Sequence, residues 1–166
     1  MLEHQSVRAL VVAATASEAL RHSHTDIVLQ SFAYIFDGFV GTQWYTFAAC
    51  ACLALFDNYA LLENGIDLIS SYKVTVLSAT ASQLAVLDPT ELPLVRTATQ
   101  GGERLPADLM HQWSARMSFY NMYGPTEASV CATTMKTTKN MVTPSSIGFP
   151  FANLEAFVVN TLCKCT

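Results

Sequence analysis

Three short turns in this chain carry residue types that could do chemistry together. The first, Phe36-Asp37-Gly38, sets a carboxylate among Phe32, Tyr34, Ile35, Phe36, Phe39 and Val40. An acid in apolar company is costly unless a cation meets it. The chain offers only nine Lys and Arg, so a ligand ammonium is one candidate partner. Capping the helix that follows is the other role open to Asp37, and spacing alone does not choose between them. The second turn, Gly101-Gly102-Glu103, lets the backbone approach a flat ligand or simply reverse direction. In the third, Tyr123-Gly124-Pro125-Thr126-Glu127, the Gly-Pro pair forces a turn that exposes a hydroxyl beside a carboxylate. That pair suits a phosphate with Mg²⁺, the carboxylate supplying a hard oxygen; a plain capped turn is the bland alternative.

The remaining ligand-type residues are weaker. Cys50-x-Cys52 and Cys163-x-Cys165 lack the two-residue spacing of zinc sites, and His22-x-His24 would point apart on a helix. An odd set of five cysteines without framework spacing points to reduced thiols and a cytoplasmic setting.

Elements that would position the three turns alternate along the chain. Residues 4–21 read as a helix and 26–30 as a strand, followed by an apolar helix from just after Asp37 to about Cys50. Cys52–Phe56 reads as a fully buried strand, and Leu61, Leu62, Ile66, Leu68 and Ile69 mark a helix. Val74–Leu77 is a β-branched strand, Ser82–Leu87 a short helix stopped by Asp88-Pro89, and Val95–Gln100 a strand. A helix from Pro106 to Arg116 and a strand over Met117–Asn121 precede the third turn. Thr133–Ser146 reads as a polar loop and Ala156–Val159 as a closing strand. Strands separated by helices imply an α/β fold, a largely parallel sheet with flanking helices, whose ligands bind at the carboxyl ends of strands.

At 166 residues the chain is one domain, 51% hydrophobic and 13% charged. Soluble domains carry about 25% charged residues, so disorder is excluded and apolar surface is left for other parts of a larger protein to cover. The net charge of −4 argues against nucleic-acid binding. The uncharged run Gly38–Phe56 approaches the length of a membrane span. Its early Gly, Thr and Gln residues and its flanking acids, Asp37 and Asp57, favour a buried helix running into a strand instead. The Ala9–Ala16 run is barely eight residues and follows an acid, Glu3, so with Val7, Leu10, Val11 and Ala14 at helical spacing it reads better as an amphipathic helix than as a signal peptide.

Taken together and in order, these segments resemble the adenylation domains of nonribosomal peptide synthetases, within the adenylate-forming ligases. The resemblance rests on Leu2-Glu3-His4, Val28-Leu29-Gln30 through Asp37, Val74-Thr75-Val76, Gly101-Gly102-Glu103, Asn121 through Glu127, and Ile147-Gly148-Phe149-Pro150. It implies that an amino acid reacts with ATP to give an aminoacyl-adenylate and pyrophosphate, and that the acyl group passes to the phosphopantetheinyl thiol of a carrier protein. Asp37 would then bind the substrate α-amino group. The side-chain pocket would be lined by Gly38, Gly41, Ser78, Ala98, Gln100, Met122 and Val130, for a medium or large side chain with some polarity. Gly101, Gly102, Glu103, Asn121, Tyr123 and Thr126 would bind the nucleotide, and Glu127 would hold Mg²⁺.

Departures from the family pattern bear on activity. Residues 1–166 read as a partial core, without the phosphate-binding loop, the ribose-binding Asp or the C-terminal lid with its lysine. Lys136, Lys139 and Lys164 sit in no matching motif, and Ala81 stands where the family has proline. The isolated chain is therefore expected to be silent. An acyl- or aryl-CoA ligase core and a non-catalytic interaction module are the competing expectations.

Overall fold

In the computed structural model, residues 2–143 and 146–159 are described. They fold around one seven-stranded sheet: β1 (Ile27–Gln30), β2 (Cys52–Leu55), β3 (Val76–Ala79), β4 (Thr97–Gln100), β5 (Ser118–Tyr123), β6 (Thr133–Lys136) and β7 (Phe149–Pro150). The spatial order is β2-β1-β3-β4-β5-β6-β7. The first five strands are parallel, while β6 and β7 are antiparallel additions at one side. The connecting helices are α1 (His4–Ala16), α2 (Asp37–Ala48), α3 (Asn58–Ser71), α4 (Ala81–Leu84) and α5 (Ala107–Ser114).

Each face of the sheet has its own core. One buries Leu29, Leu77, Ala79 and Ala98 against Ile69, Leu84, Leu109, Met110 and Trp113. The other buries Tyr120 and Cys131 against Leu10, Ala14, Leu20 and Tyr45. Parallel strands covered on both faces read as continuous apolar runs rather than alternating ones, which is how β1 and β3 look.

An ion-pair network pins the amino ends of the central strands. The Arg96 guanidinium pairs with the buried Asp26 carboxylate, which also accepts from the Thr75 hydroxyl at 2.7 Å and the Ser23 amide at 2.6 Å. Burial alone would raise the Asp26 pKa, but Arg96, Ser23 and Thr75 overcome it and hold the group at about 2.

Several expectations need correction. Helix α1 ends at Ala16 rather than at residue 21, and α2 ends at Ala48, followed by Cys50 at φ +54°. The strand Cys52–Phe56 is not fully buried: it forms the sheet edge, with Cys52 and Leu55 exposed. The polar stretch after Thr133 is not all loop. Thr133–Lys136 pairs with β5, its Thr and Met side chains alternately more and less buried. Residues 156–158 form no strand. Cys163, Lys164 and Cys165 lie outside the described residues. Among the described residues, no helix is long and apolar enough to cross a membrane. The Gly38–Phe56 run is instead divided between α2 and β2.

Candidate functional site

Strand order reverses between β1 and β3, since the chain goes from β1 outward to β2 and then returns to the other side of β1. A crevice opens at the carboxyl ends of strands at such a switch point. There lies a cleft of about 250 Å³, lined by residues from the ends of β3, β4 and β5 and from the first turns of α2.

The β1–α2 loop presents Asp37. Gln30, at the end of β1, holds that loop from both sides: its Nε2 donates to the Phe39 carbonyl at 2.8 Å, and its Oε1 accepts from the Phe32 amide at 3.2 Å. Asp37 is the first residue of α2. The N-cap is Phe36, and no side-chain cap bond forms at this helix end. The capping role is therefore not the one Asp37 plays. Its Oδ2 is buried and has no hydrogen-bond partner. The carboxylate sits at the positive end of the helix dipole and faces the cleft.

Below Asp37, the face of α2 formed by residues i, i+4 and i+8 continues through Gly41 to Tyr45. A Cβ on residue 41 would meet Val130 Cγ1 at 2.9 Å and the Tyr45 hydroxyl at 3.1 Å, so only glycine leaves that space open. Tyr45 is 3% exposed and its hydroxyl has no partner. Burial, with smaller contributions from Cys131 and Asp37, pushes its pKa well above 10. Across the cleft, Ser78 Oγ and Thr99 Oγ1 hydrogen-bond at 2.7 Å. Cys131 also lines the cleft; burial raises its thiol to about 12, against a lowering contribution from the backbone at Thr133 and Tyr123.

A second, larger groove of about 550 Å³ shares Gly102, Met122, Tyr123 and Gly124 with the first, and adds Glu103, Arg104, Leu105, Asn121 and Ile147. Tyr123 presents a half-exposed ring between the two. Gly102 adopts φ +82°, the left-handed region that glycine tolerates at no steric cost, and a Cβ there would sit 3.0 Å from the Phe36 ring. Glu103 Oε2 accepts from the amide and hydroxyl of Ser82 at 2.8 and 2.7 Å. Burial would raise its pKa, but the Ser82 bonds, helped by Thr80, outweigh this and lower it. Asn121 accepts from Gln100 Nε2 at 2.7 Å and donates to the Ser146 carbonyl at 2.8 Å.

Of the residues singled out from sequence, Asp37, Gly38, Ser78, Gly101, Gly102, Met122, Tyr123, Thr126 and Val130 share the cleft. Glu103 and Asn121 line the adjoining groove. The others are placed differently. Ala98 is fully buried in the core on the opposite face of the sheet, because β4 alternates and it is Thr99 that faces the cleft. Gln100 lies on the same side as Ala98, where it braces Asn121 and the Glu103 carbonyl rather than lining the cleft. Gly41 lies beneath the lining rather than in it. Glu127 is exposed in the tight turn Thr126–Ala128, beside Thr126 but outside both cavities. Lys136 pairs with Glu18 at 3.1 Å and also lines neither cavity. Thr42, Tyr45, Thr99 and Cys131 line the cleft but were missed from sequence. The four-residue spacing from Asp37 through Gly41 was the available signal for Tyr45.

Comparison with known proteins settles the family. The family described as AMP-binding enzyme matches residues 1–165. The chain belongs to the AMP-binding enzyme family. It is 35% identical over 162 residues to a linear gramicidin synthase subunit of Brevibacillus parabrevis, covering 96% of this chain and 2% of that protein. It is 29% identical over 133 residues to nonribosomal peptide synthetase 7 of Aspergillus fumigatus, covering 80% of this chain and 6% of that protein. The chain thus spans a small fraction of the length of these relatives. Among solved structures, the Vibrio cholerae adenylation domain AlmE in complex with glycyl-adenosine-5'-phosphate superposes with a TM-score of 0.88 at 22% identity, over 98% of this chain and 32% of that one. Apo MatB from Rhodopseudomonas palustris superposes at 0.83 with 19% identity, over the whole of this chain and 34% of that one. The motif resemblance and the mixed sheet with flanking helices both agree with an adenylation-domain segment of the AMP-binding family.

Proposed function

We propose that this chain is the amino-acid- and adenosine-binding core of a nonribosomal-peptide-synthetase adenylation domain. The observation that carries this reading is Asp37: a carboxylate with a buried, unpartnered oxygen, in the same cleft as Tyr123 and Thr126. An ammonium would satisfy it, because a buried acceptor without a partner is costly and a charge-assisted hydrogen bond removes that cost. Among the described residues, no Lys, Arg or His lines the cleft to do so from within.

In the proposed reaction, the substrate α-ammonium sits on Asp37 and its side chain runs down past Gly41. Adenine stacks on Tyr123, with the Gly101-Gly102-Glu103 backbone and Asn121 along its edge. Thr126 donates to an α-phosphate oxygen. The amino-acid carboxylate attacks the α-phosphorus, the bond to the β-phosphate breaks, and pyrophosphate leaves. A carrier-protein thiol then takes the acyl group and AMP departs. The donor set suits Mg²⁺: the ion binds through one or two carboxylates plus phosphates and water, and Glu127 offers a single exposed carboxylate beside Thr126. Bound there, Mg²⁺ would neutralise charge on the phosphates.

Among the described residues, no basic side chain or glycine-rich phosphate loop reaches the cleft. One missing oxyanion-type donor costs about 10²–10³ in rate, so the described residues alone are expected to be catalytically silent or nearly so. The competing acyl- or aryl-CoA ligase reading gives Asp37 no partner, since such substrates lack an amino group. The test is a comparison of two non-hydrolysable adenylate analogues, one aminoacyl and one the matching des-amino acyl. A preference of about tenfold or more for the aminoacyl analogue, with no pyrophosphate exchange above background, is expected. Equal affinity would overturn the reading.

A further inference from the structure

We propose that the Tyr45 hydroxyl is a specificity-determining group, and that the site selects an amino acid with an uncharged, hydrogen-bonding side chain of asparagine or glutamine size. This rests on the reading of the cleft as an amino-acid site. Tyr45 belongs to the ridge Asp37–Gly41–Tyr45 along α2. Helical side chains lean toward the amino end of their helix, which brings the Tyr45 hydroxyl back to the level of Gly41, one turn below Asp37. The 3.1 Å approach to a Cβ at residue 41 shows this directly. One helical turn is about 5.4 Å. A substrate held at its α-nitrogen by Asp37 therefore brings the end of a two- or three-carbon side chain to Tyr45.

Part of the hydrogen-bonding capacity of the cleft lining is unspent. The hydroxyl of Tyr45 is buried without a partner, and its raised pKa keeps it protonated, able both to donate and to accept. Ser78 and Thr99 share one hydrogen bond, which uses one of their two hydroxyl hydrogens and leaves the other to donate. The thiol of Cys131 is already engaged with two backbone carbonyls. Charge narrows the choice further. Among the described residues, no basic side chain lines the cleft to meet an anionic substrate group, and Asp37, the one acid in the lining, is committed to the α-ammonium. A hydrocarbon side chain would leave the Tyr45 hydroxyl buried and unpaired, which is the circumstance in which polar sites discriminate strongly.

The experiment measures binding of non-hydrolysable aminoacyl-sulfamoyl adenosines to the 166-residue chain by calorimetry. Glutamine and asparagine analogues are paired with their near-isosteres, methionine and leucine. The expected preference for the amide member of each pair is about ten- to hundredfold. In Tyr45→Phe that ratio falls toward one while methionine and leucine affinities are kept. In Gly41→Ala, whose added methyl stands in front of the hydroxyl, the amide preference falls as well. A wild-type preference for hydrocarbons overturns the inference, as does Tyr45→Phe weakening every analogue equally, and both leave the amino-acid reading intact. Absence of binding by every analogue overturns the amino-acid reading together with the inference.

Discussion

Replacing Asp37 with alanine should push stability and binding in opposite directions. In the free protein its Oδ2 is buried without a partner. An unsatisfied buried acceptor costs about 1–3 kcal/mol, and the favourable position in the first turn of α2 returns about 0.3–1 kcal/mol. Removing the carboxylate should therefore stabilise the unliganded chain by about 1–2 kcal/mol. At this chain length that is a rise in melting temperature of roughly 2–8 °C. The bound state loses a charge-assisted hydrogen bond worth about 1.5–3 kcal/mol, so affinity for an aminoacyl-adenylate analogue should fall about ten- to hundredfold. Urea denaturation of both proteins gives the first quantity and calorimetric titration the second. An Asp37→Ala protein that is less stable yet binds as tightly as the parent would make Asp37 a structural residue and remove its role at the substrate.

Other perturbations test the scaffold. Asp26 has a folded-state pKa of about 2 against 3.8 ordinarily, so its contribution of about 2 kcal/mol is complete above about pH 5 and is lost progressively as pH falls through 2. Asp26→Asn should flatten that part of the acid-unfolding curve, and a variant with an unchanged curve would contradict the assignment. A Cβ on Gly124 would lie 2.5 Å from the Cys131 Cα and the Val130 carbonyl, both backbone. Gly124→Ala should destabilise by more than about 1 kcal/mol by forcing the β5–β6 turn apart, and near-neutral melting would count against it. Ala81 is the first residue of α4, after a Thr80 N-cap already at φ −77°, ψ 164° with a complete capping box. Proline fits that position, so Ala81→Pro should be neutral or stabilising by up to about 1 kcal/mol, read as a denaturant midpoint that does not fall.

Much of this architecture was legible in the letters because β-branched runs bounded by turn residues leave few alternatives. Val28-Leu29, Val76-Leu77 and the run ending in Gly101-Gly102 located three parallel strands, and the three turns fell at strand ends as parallel topology requires. What failed depended on long-range pairing or on phase. Thr133–Lys136 has loop-like composition, and its strand state comes from hydrogen bonding to β5, a contact that local sequence does not encode. Placement of β2 at the edge follows from strand order, which CLAL cannot reveal. Ala98, carried over from the motif, lies one residue out of phase with the cleft-facing Thr99, and in a strand one residue changes the face. Thr97, Ala98, Thr99 and Gln100 are all buried, so no polar-apolar alternation marked the cleft side. Tyr45 was hidden for a related reason: α2 is apolar on most sides, and only three-dimensional packing shows which aromatic ends on a cleft.

Whether one crevice holds an amino acid at Asp37 and adenosine at Tyr123 is decided by a crystal structure of the chain with a non-hydrolysable aminoacyl-adenylate analogue. The α-nitrogen should lie within hydrogen-bond distance, about 3 Å, of the Asp37 carboxylate, with the adenine ring stacked on Tyr123. An analogue bound with its α-nitrogen in solvent, or its adenine away from Tyr123, would contradict the shared site.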